Sequence, residues 1–222
     1  MLKTPDFSLI ISSVMNNLSK DDCDGALPYL MLTSKCEHVF RDLLAIRMRR
    51  NLQKPNVKQC YEVAREKTFG KKKKKRKVDI AIFQLMAKTF RDPVAFLELK
   101  YVARPTTVIK FCKELKSELE EAKKAKANVK LYSGAAPSYL GLLLVREART
   151  VRSDSADGLA EIIGKYKPLS HQQEIKLPRK YDEVRHKATS LGLEIPFESQ
   201  SPIFLGKDLG CEVKLQWWLF SL

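Results

Sequence analysis

The chain has 222 residues, 44% of them hydrophobic, which suits one large domain or a domain with an extension and excludes a disordered polymer. With 41 Lys and Arg against 26 Asp and Glu the net charge is +15, which favours a polyanionic partner, most simply nucleic acid. No apolar run approaches the roughly 20 residues of a membrane span, no basic amphipathic helix with an aromatic face stands out, and Met1-Leu2-Lys3-Thr4-Pro5-Asp6 lacks the order of a secretory signal. A cytoplasmic protein without membrane contacts is therefore expected, nuclear if its source is eukaryotic or viral.

Residues 5–20 carry Phe7, Ile10, Ile11, Val14, Met15 and Leu18 on one stripe and predict a helix, ended by the polar turn Asp21-Asp22-Cys23-Asp24-Gly25. A second helix is expected from the capping pair Thr33-Ser34 to about Leu52, with Val39, Phe40, Leu43, Leu44, Ile46 and Met48 on its apolar side. Glu37 and Arg41 can pair on it, one turn apart. Its end, Arg47-Met48-Arg49-Arg50, either complements the helix dipole or lets Arg49 and Arg50 contact phosphate. Pro55-Asn56 breaks this helix. The five cysteines, Cys23, Cys36, Cys60, Cys112 and Cys211, have no paired spacing and read as reduced thiols filling the core.

Residues 58–68 alternate as a strand, with Tyr61, Val63 and Phe69 as inward candidates. Phe69-Gly70 then opens a turn of seven consecutive basic residues, Lys71, Lys72, Lys73, Lys74, Lys75, Arg76 and Lys77. Residues 78–83 read as a second strand, 84–93 as a loop and 94–102 as a third strand. The short links make the three an antiparallel meander.

After a turn, a long helix is expected over 107–127, with Val108, Phe111, Cys112, Leu115 and Leu119 facing inward. A short strand in 128–133 and a loop follow. The continuous apolar run 139–145 fits a central strand covered on both faces. Strand, helix and buried strand make a crossover unit. Beyond residue 151, 155–166 and 180–191 read as helices around an irregular polar segment, 168–178. The tail ends in a strand over 213–220 whose Trp217 and Trp218 pack on the core. The expected organisation is a core over 1–150 that includes the N-terminal helices, and an extension over 151–222 packed on it, with room for specificity or dimer contacts.

The chemistry concentrates on the meander. Glu98 and Lys100 leave the same face of the strand over 94–102, a carboxylate and an ammonium in an otherwise apolar run. Buried charge is costly unless it is paired or bound. In a hairpin Asp79, at the start of the preceding strand, reaches the same place. Two adjacent carboxylates call for a cation, and hard oxygen ligands favour magnesium or manganese. A divalent ion there can polarise a phosphoryl oxygen and lower the pKa of a water, while Lys100 orients that water or neutralises developing charge. The plain alternative is a half-exposed strand with Glu98 and Lys100 in solvent. The basic turn, Lys71 to Lys77, lies beside Asp79 and is either a phosphate-contacting surface or a solvated loop.

Asp79 followed by Glu98-Leu99-Lys100 resembles the PD-(D/E)xK nuclease superfamily. The order helix, three-strand meander, helix, strand over residues 33–148 is similar to its restriction-endonuclease-like fold. The resemblance implies an α/β protein with a mixed central sheet, antiparallel meander plus crossover strand, flanked by helices. It implies that Asp79, Glu98 and the Leu99 carbonyl hold Mg2+, with Mn2+ as a substitute, that Lys100 assists catalysis and that Glu37 joins from the preceding helix. Val78 stands where the family name has proline. The function implied is a magnesium-dependent endonuclease hydrolysing DNA, of restriction, defence or repair type, acting most naturally on duplex DNA and possible as a homodimer. The alternatives are a non-catalytic nucleic-acid-binding protein and an RNA-cleaving nuclease with the same triad.

Overall fold

The computed structural model describes residues 6–18, 26–33, 36–53, 60–69, 76–87, 90–103, 107–126, 136–151, 168–208 and 211–222. Three helices come first: α1 (Phe7–Asn16), α2 (Ala26–Thr33) and α3 (Glu37–Leu52). The strands β1 (Cys60–Phe69), β2 (Arg76–Ala87) and β3 (Phe90–Val102) follow, then α4 (Val108–Lys126) and β4 (Ser138–Thr150). Helices α5 (His171–Ile175) and α6 (Leu177–Ser190) precede β5 (Glu194–Glu198), β6 (Ile203–Asp208) and β7 (Cys211–Ser221). Among the described residues no helix is long and apolar enough to cross a membrane.

The protein is α/β, with a seven-stranded mixed sheet in the order β1-β2-β3-β4-β7-β5 and β6 paired to β7. Strands β1 to β3 form an antiparallel meander, and β4 lies parallel to β3 after the α4 crossover. Alternation along the strands divides the core between the two faces of the sheet. One face sends Ile80, Leu97, Leu99, Leu142 and Trp217 against α1, α2 and α3. The other sends Ala81, Phe96, Leu143, Val145 and Trp218 against α4 and α6. β4 is buried nearly throughout because both faces are covered. β7 pairs antiparallel with β4 from Leu140↔Ser221 to Thr150↔Cys211, so the chain's last strand is a sheet neighbour of the crossover strand.

Several expected boundaries differ. The stripe from Phe7 to Leu18 is helical only to Asn16, and α2 is an additional short helix. Thr33 ends α2 rather than starting the next helix, and α3 begins at Glu37. The loop expected over 84–93 is largely strand: Gln84 pairs with Asp92 and Leu85 with Arg91. Pro93 has no N–H to donate, which hid this pairing in the sequence. The ladder absorbs it with a register shift between Ile82 and Phe83, where Phe83 faces Pro93. The segment 168–178 is not irregular throughout. Ser170 caps α5 by accepting from Gln173 N–H at 3.4 Å, while the Gln173 side chain accepts from Ser170 N–H at 2.9 Å. Pro178 then sits in the first turn of α6. The strand expected in 128–133, the helix in 155–166 and the turn from Asp21 to Gly25 lie outside the described residues.

Gly141 shows how closely α4 rides on β4. A Cβ there would stand 2.7 Å from Leu115 Cδ2 and 2.8 Å from its Cγ, and Leu115 is fully buried. Gly141→Ala is therefore expected to destabilise the fold by about 1–3 kcal/mol through overpacking. Urea unfolding checks this, and an unchanged midpoint would contradict the close approach.

Candidate active site

The site is a break in the sheet. Along β2 and β3 the backbone pairing runs to Ile80↔Leu97 and stops, whereas β2 stays on β1 through Lys67↔Val78, Thr68↔Lys77 and Phe69↔Arg76. The start of β2 thus leaves β3, and among the described residues the β3 edge beyond Leu97 has no strand beside it on that side. Carboxylates take the place of that strand. Asp79 Oδ2 accepts from Leu99 N–H at 2.9 Å, and Glu37 Oε2 accepts from Tyr101 N–H at 3.3 Å. Both amides point into the gap, because alternate residues of an extended strand present their backbone groups to the same edge. The N–H and C=O of one residue also leave by one edge, so the Leu99 carbonyl opens toward the gap.

The side chains converge there too. Asp79 and Glu98 are each one residue beyond the last paired positions, Ile80 and Leu97, of their two strands. Glu98 is only 4% exposed, on the strand face that carries Phe96 against α4. Lys100 leaves by the same face, and its ammonium meets Glu118 Oε1 of α4 at 2.7 Å. Burial acts to lower the Lys100 pKa. The Glu118 hydrogen bond and charge, with the Glu37 and Asp79 carboxylates, outweigh burial and hold it above its ordinary value. Lys100 is therefore a cation and a hydrogen-bond donor at neutral pH.

Asp79, Leu99, Lys100 and Glu37 are thus brought together, Glu98 shares the strand face of Lys100, and Glu118 is a member that sequence reasoning missed. It lies on α4 one turn after Leu115 and one turn before Ala122, a polar residue in line with a buried stripe. The expected Glu37–Arg41 pair does not form. Glu37 turns to Tyr101, while Arg41 meets Asp42 at 3.3 Å and Glu66 at 2.6 Å. Arg49 and Arg50 are exposed at the far end of α3, roughly 18 Å along its axis from Glu37 at the helical rise, and do not reach the site. Of the basic turn, Lys71, Lys72, Lys73, Lys74 and Lys75 lie outside the described residues. Arg76 and Lys77 begin β2, and the Lys77 ammonium pairs with Glu66 at 2.7 Å.

The ladder is disturbed on the other side of Asp79 as well. Arg65↔Ile80 and Lys67↔Val78 are paired, and Glu66 between them has φ +49°, a left-handed conformation that non-glycine residues adopt at a cost. Strain of this kind gathers where a functional side chain has to be aimed. Glu66→Gly is expected to be more stable than Glu66→Ala by about 1 kcal/mol, since both lose the Arg41 and Lys77 ion pairs and only glycine accepts the backbone freely. Equal melting temperatures would show that the conformation carries no strain.

The donors facing the gap are carboxylate and carbonyl oxygens, the set that suits a hard divalent cation. Among the described residues no three His, Cys, Asp or Glu side chains are grouped as a metal cage. The oxygens available to such a cation are the carboxylates of Asp79 and Glu98 and the Leu99 carbonyl. Compared with known proteins, the chain matches no family model, no curated protein and no solved structure. The class that fold and site define is accordingly an α/β protein whose mixed sheet opens between two strands onto a carboxylate–lysine cluster.

Proposed function

We propose that this chain is a metal-dependent nuclease of the PD-(D/E)xK kind, with a restriction-endonuclease-like core, hydrolysing phosphodiester bonds in DNA. One observation carries the reading: the β2–β3 ladder opens at the residues the motif picks out, with Asp79 bonded to the Leu99 amide beside Glu98 and Lys100. A strand pair that merely ended would not need a carboxylate seated on each freed amide.

Asp79, Glu98 and the Leu99 carbonyl would hold Mg2+, or Mn2+ in its place. When bound, the metal supplies Lewis-acid polarisation of a phosphoryl oxygen and a water of lowered pKa. Lys100, already protonated, donates to that water or to the phosphate and offsets the charge that develops as water attacks phosphorus and the P–O bond to the leaving strand breaks. Glu118 holds the Lys100 ammonium at 2.7 Å. Glu37 holds the Tyr101 amide and adds negative charge that attracts the cation. The net charge of +15 supplies the sequence-independent share of affinity for a polyanion.

The test offers supercoiled plasmid, linear duplex, single-stranded DNA and RNA to the protein with magnesium or manganese, each with and without chelator. Metal-dependent cutting of DNA in preference to RNA supports the reading. All substrates left intact in both metals would refute it. A second reading, a nucleic-acid-binding protein without catalysis, is favoured by the Lys100–Glu118 pair, which already neutralises the lysine. Its signature is binding that chelator leaves unchanged and that falls steeply with salt.

A further inference from the structure

A second cluster of polar groups lies beyond Leu143, the register partner of Lys100 on β4, and plays no part in the site above. Glu147 of β4 and Gln216 of β7 are each 2% exposed and leave the sheet on the face covered by α6. They are near neighbours across the strands, since Val145 pairs with Gln216 and Glu147 with Lys214. With Arg149, Tyr181, Asp182 and Arg185 they line a cleft of about 340 Å3. That is the size of a small-ligand pocket.

The charged donors in this cleft face carboxylates, although Arg149 Nε is buried without a hydrogen-bond partner. Arg149 meets Glu147 at 3.7 Å and Glu174 at 3.5 Å. Arg185 meets Glu198 at 3.0 Å and Asp182 at 2.7 Å. The Tyr181 hydroxyl donates to Glu147. Two guanidiniums therefore face four carboxylates, and Lys214, the nearest ammonium on β7, is paired with Glu212 at 2.8 Å. Gln216 donates through Nε2 to the Ser199 carbonyl at 2.8 Å, but its Oε1 is buried without a hydrogen-bond partner. A buried, unmet acceptor costs about 1–3 kcal/mol, so a lining amide in this state calls for a donor from outside the chain. With the carboxylates of Glu147, Glu174 and Asp182 in its lining against the guanidiniums of Arg149 and Arg185, what the cleft lacks is positive charge. Its remaining walls, Leu177, Pro178, Pro202 and the Tyr181 ring, are apolar and suit an alkyl chain.

We propose that the cleft between α6 and the β4–β7 pair binds a small organic cation, an ammonium or guanidinium head on an alkyl body, with the head donating to Gln216 Oε1 and Glu147. The site is independent of the nuclease reading, because its readout is binding.

The experiment titrates the full chain with agmatine, putrescine and arginine by calorimetry and thermal shift at constant ionic strength, with sodium chloride and inorganic phosphate as controls. Agmatine and putrescine are expected to bind and stabilise. Arginine is expected to bind more weakly, because its carboxylate meets an acidic cleft. Gln216→Met should weaken agmatine about tenfold, and Asp182→Asn, at an exposed wall position, by roughly threefold. If Gln216→Met does not fold, the side-chain amide resonances of Gln216 in the wild type decide instead: they shift on adding agmatine if the assignment holds. No organic cation binding at a concentration on the order of 10 mM, equal stabilisation by sodium chloride or phosphate, or unmoved Gln216 amide resonances would overturn the proposal.

Discussion

Asp79→Asn and Glu98→Gln are each expected to lower metal-dependent DNA cleavage by roughly three orders of magnitude while leaving the fold intact, since losing a catalytic metal removes several kcal/mol of transition-state stabilisation. The conservative variants are chosen for Asp79's double duty. Its carboxylate accepts the Leu99 N–H at 2.9 Å, so Asp79→Ala would remove the negative charge and also expose a β3 amide at the gap. Asn keeps an oxygen for that amide and removes only the charge. At the largely buried Glu98, Gln likewise keeps the volume. Lys100→Ala is expected to cost about 100- to 1,000-fold, the scale for losing one donor aimed at developing charge. It also leaves Glu118 without its ammonium 2.7 Å away, so Lys100→Ala with Glu118→Gln serves as the paired control. Asp79→Asn or Glu98→Gln protein that cuts at the wild-type rate in magnesium would remove these residues from the chemistry. Loss of activity with normal folding and normal DNA binding would place the defect in the reaction.

The triad was readable because strand alternation is a short-range code. Glu98 and Lys100 two residues apart share a face whatever the rest of the chain does, and the hairpin relation to Asp79 needed only a short link. The meander and the crossover followed from the same apolar runs. The features around these residues depended on long-range geometry instead. Nothing near Glu66 in the sequence signals its left-handed backbone. Glu118 carried no motif signal in the sequence, and its role depends on α4 packing over β3. Helical spacing allowed Glu37 to pair with Arg41, while the family resemblance implied a place for it in the site. Instead Glu37 accepts from the Tyr101 amide and Arg41 reaches Glu66, so both have other partners. The extent of β2 and β3 was hidden by Pro93, which reads as a strand breaker and is accommodated by a register shift.

Arg146→Ala is expected to destabilise the fold by about 3 kcal/mol, combining a cavity with the loss of hydrogen bonds to buried carbonyls. In a chain of this size that corresponds to a fall of roughly 6–12 °C in melting temperature. Arg146 sits on β4, is 1% exposed and lies on the face that carries α1 to α3. Its guanidinium donates to the Met31 carbonyl at 2.8 Å and the Ala103 carbonyl at 3.1 Å. Met31 is in the last turn of α2, where a cation also opposes the negative end of the helix dipole. The Tyr101 hydroxyl donates to the same Met31 carbonyl at 3.2 Å, and the Tyr101 amide is the group that Glu37 accepts from. One buried side chain therefore links the end of α2, the turn after β3 and the residue that seats Glu37. Burying a guanidinium is itself costly, so a well-packed apolar replacement recovers part of the loss. Arg146→Met is accordingly expected to cost about half as much as Arg146→Ala, since it fills the volume but donates nothing. Amide exchange should quicken in α2 and at Tyr101 before it does in β4. An Arg146→Ala protein melting within about 1 °C of wild type would show that the guanidinium contributes nothing net to the fold.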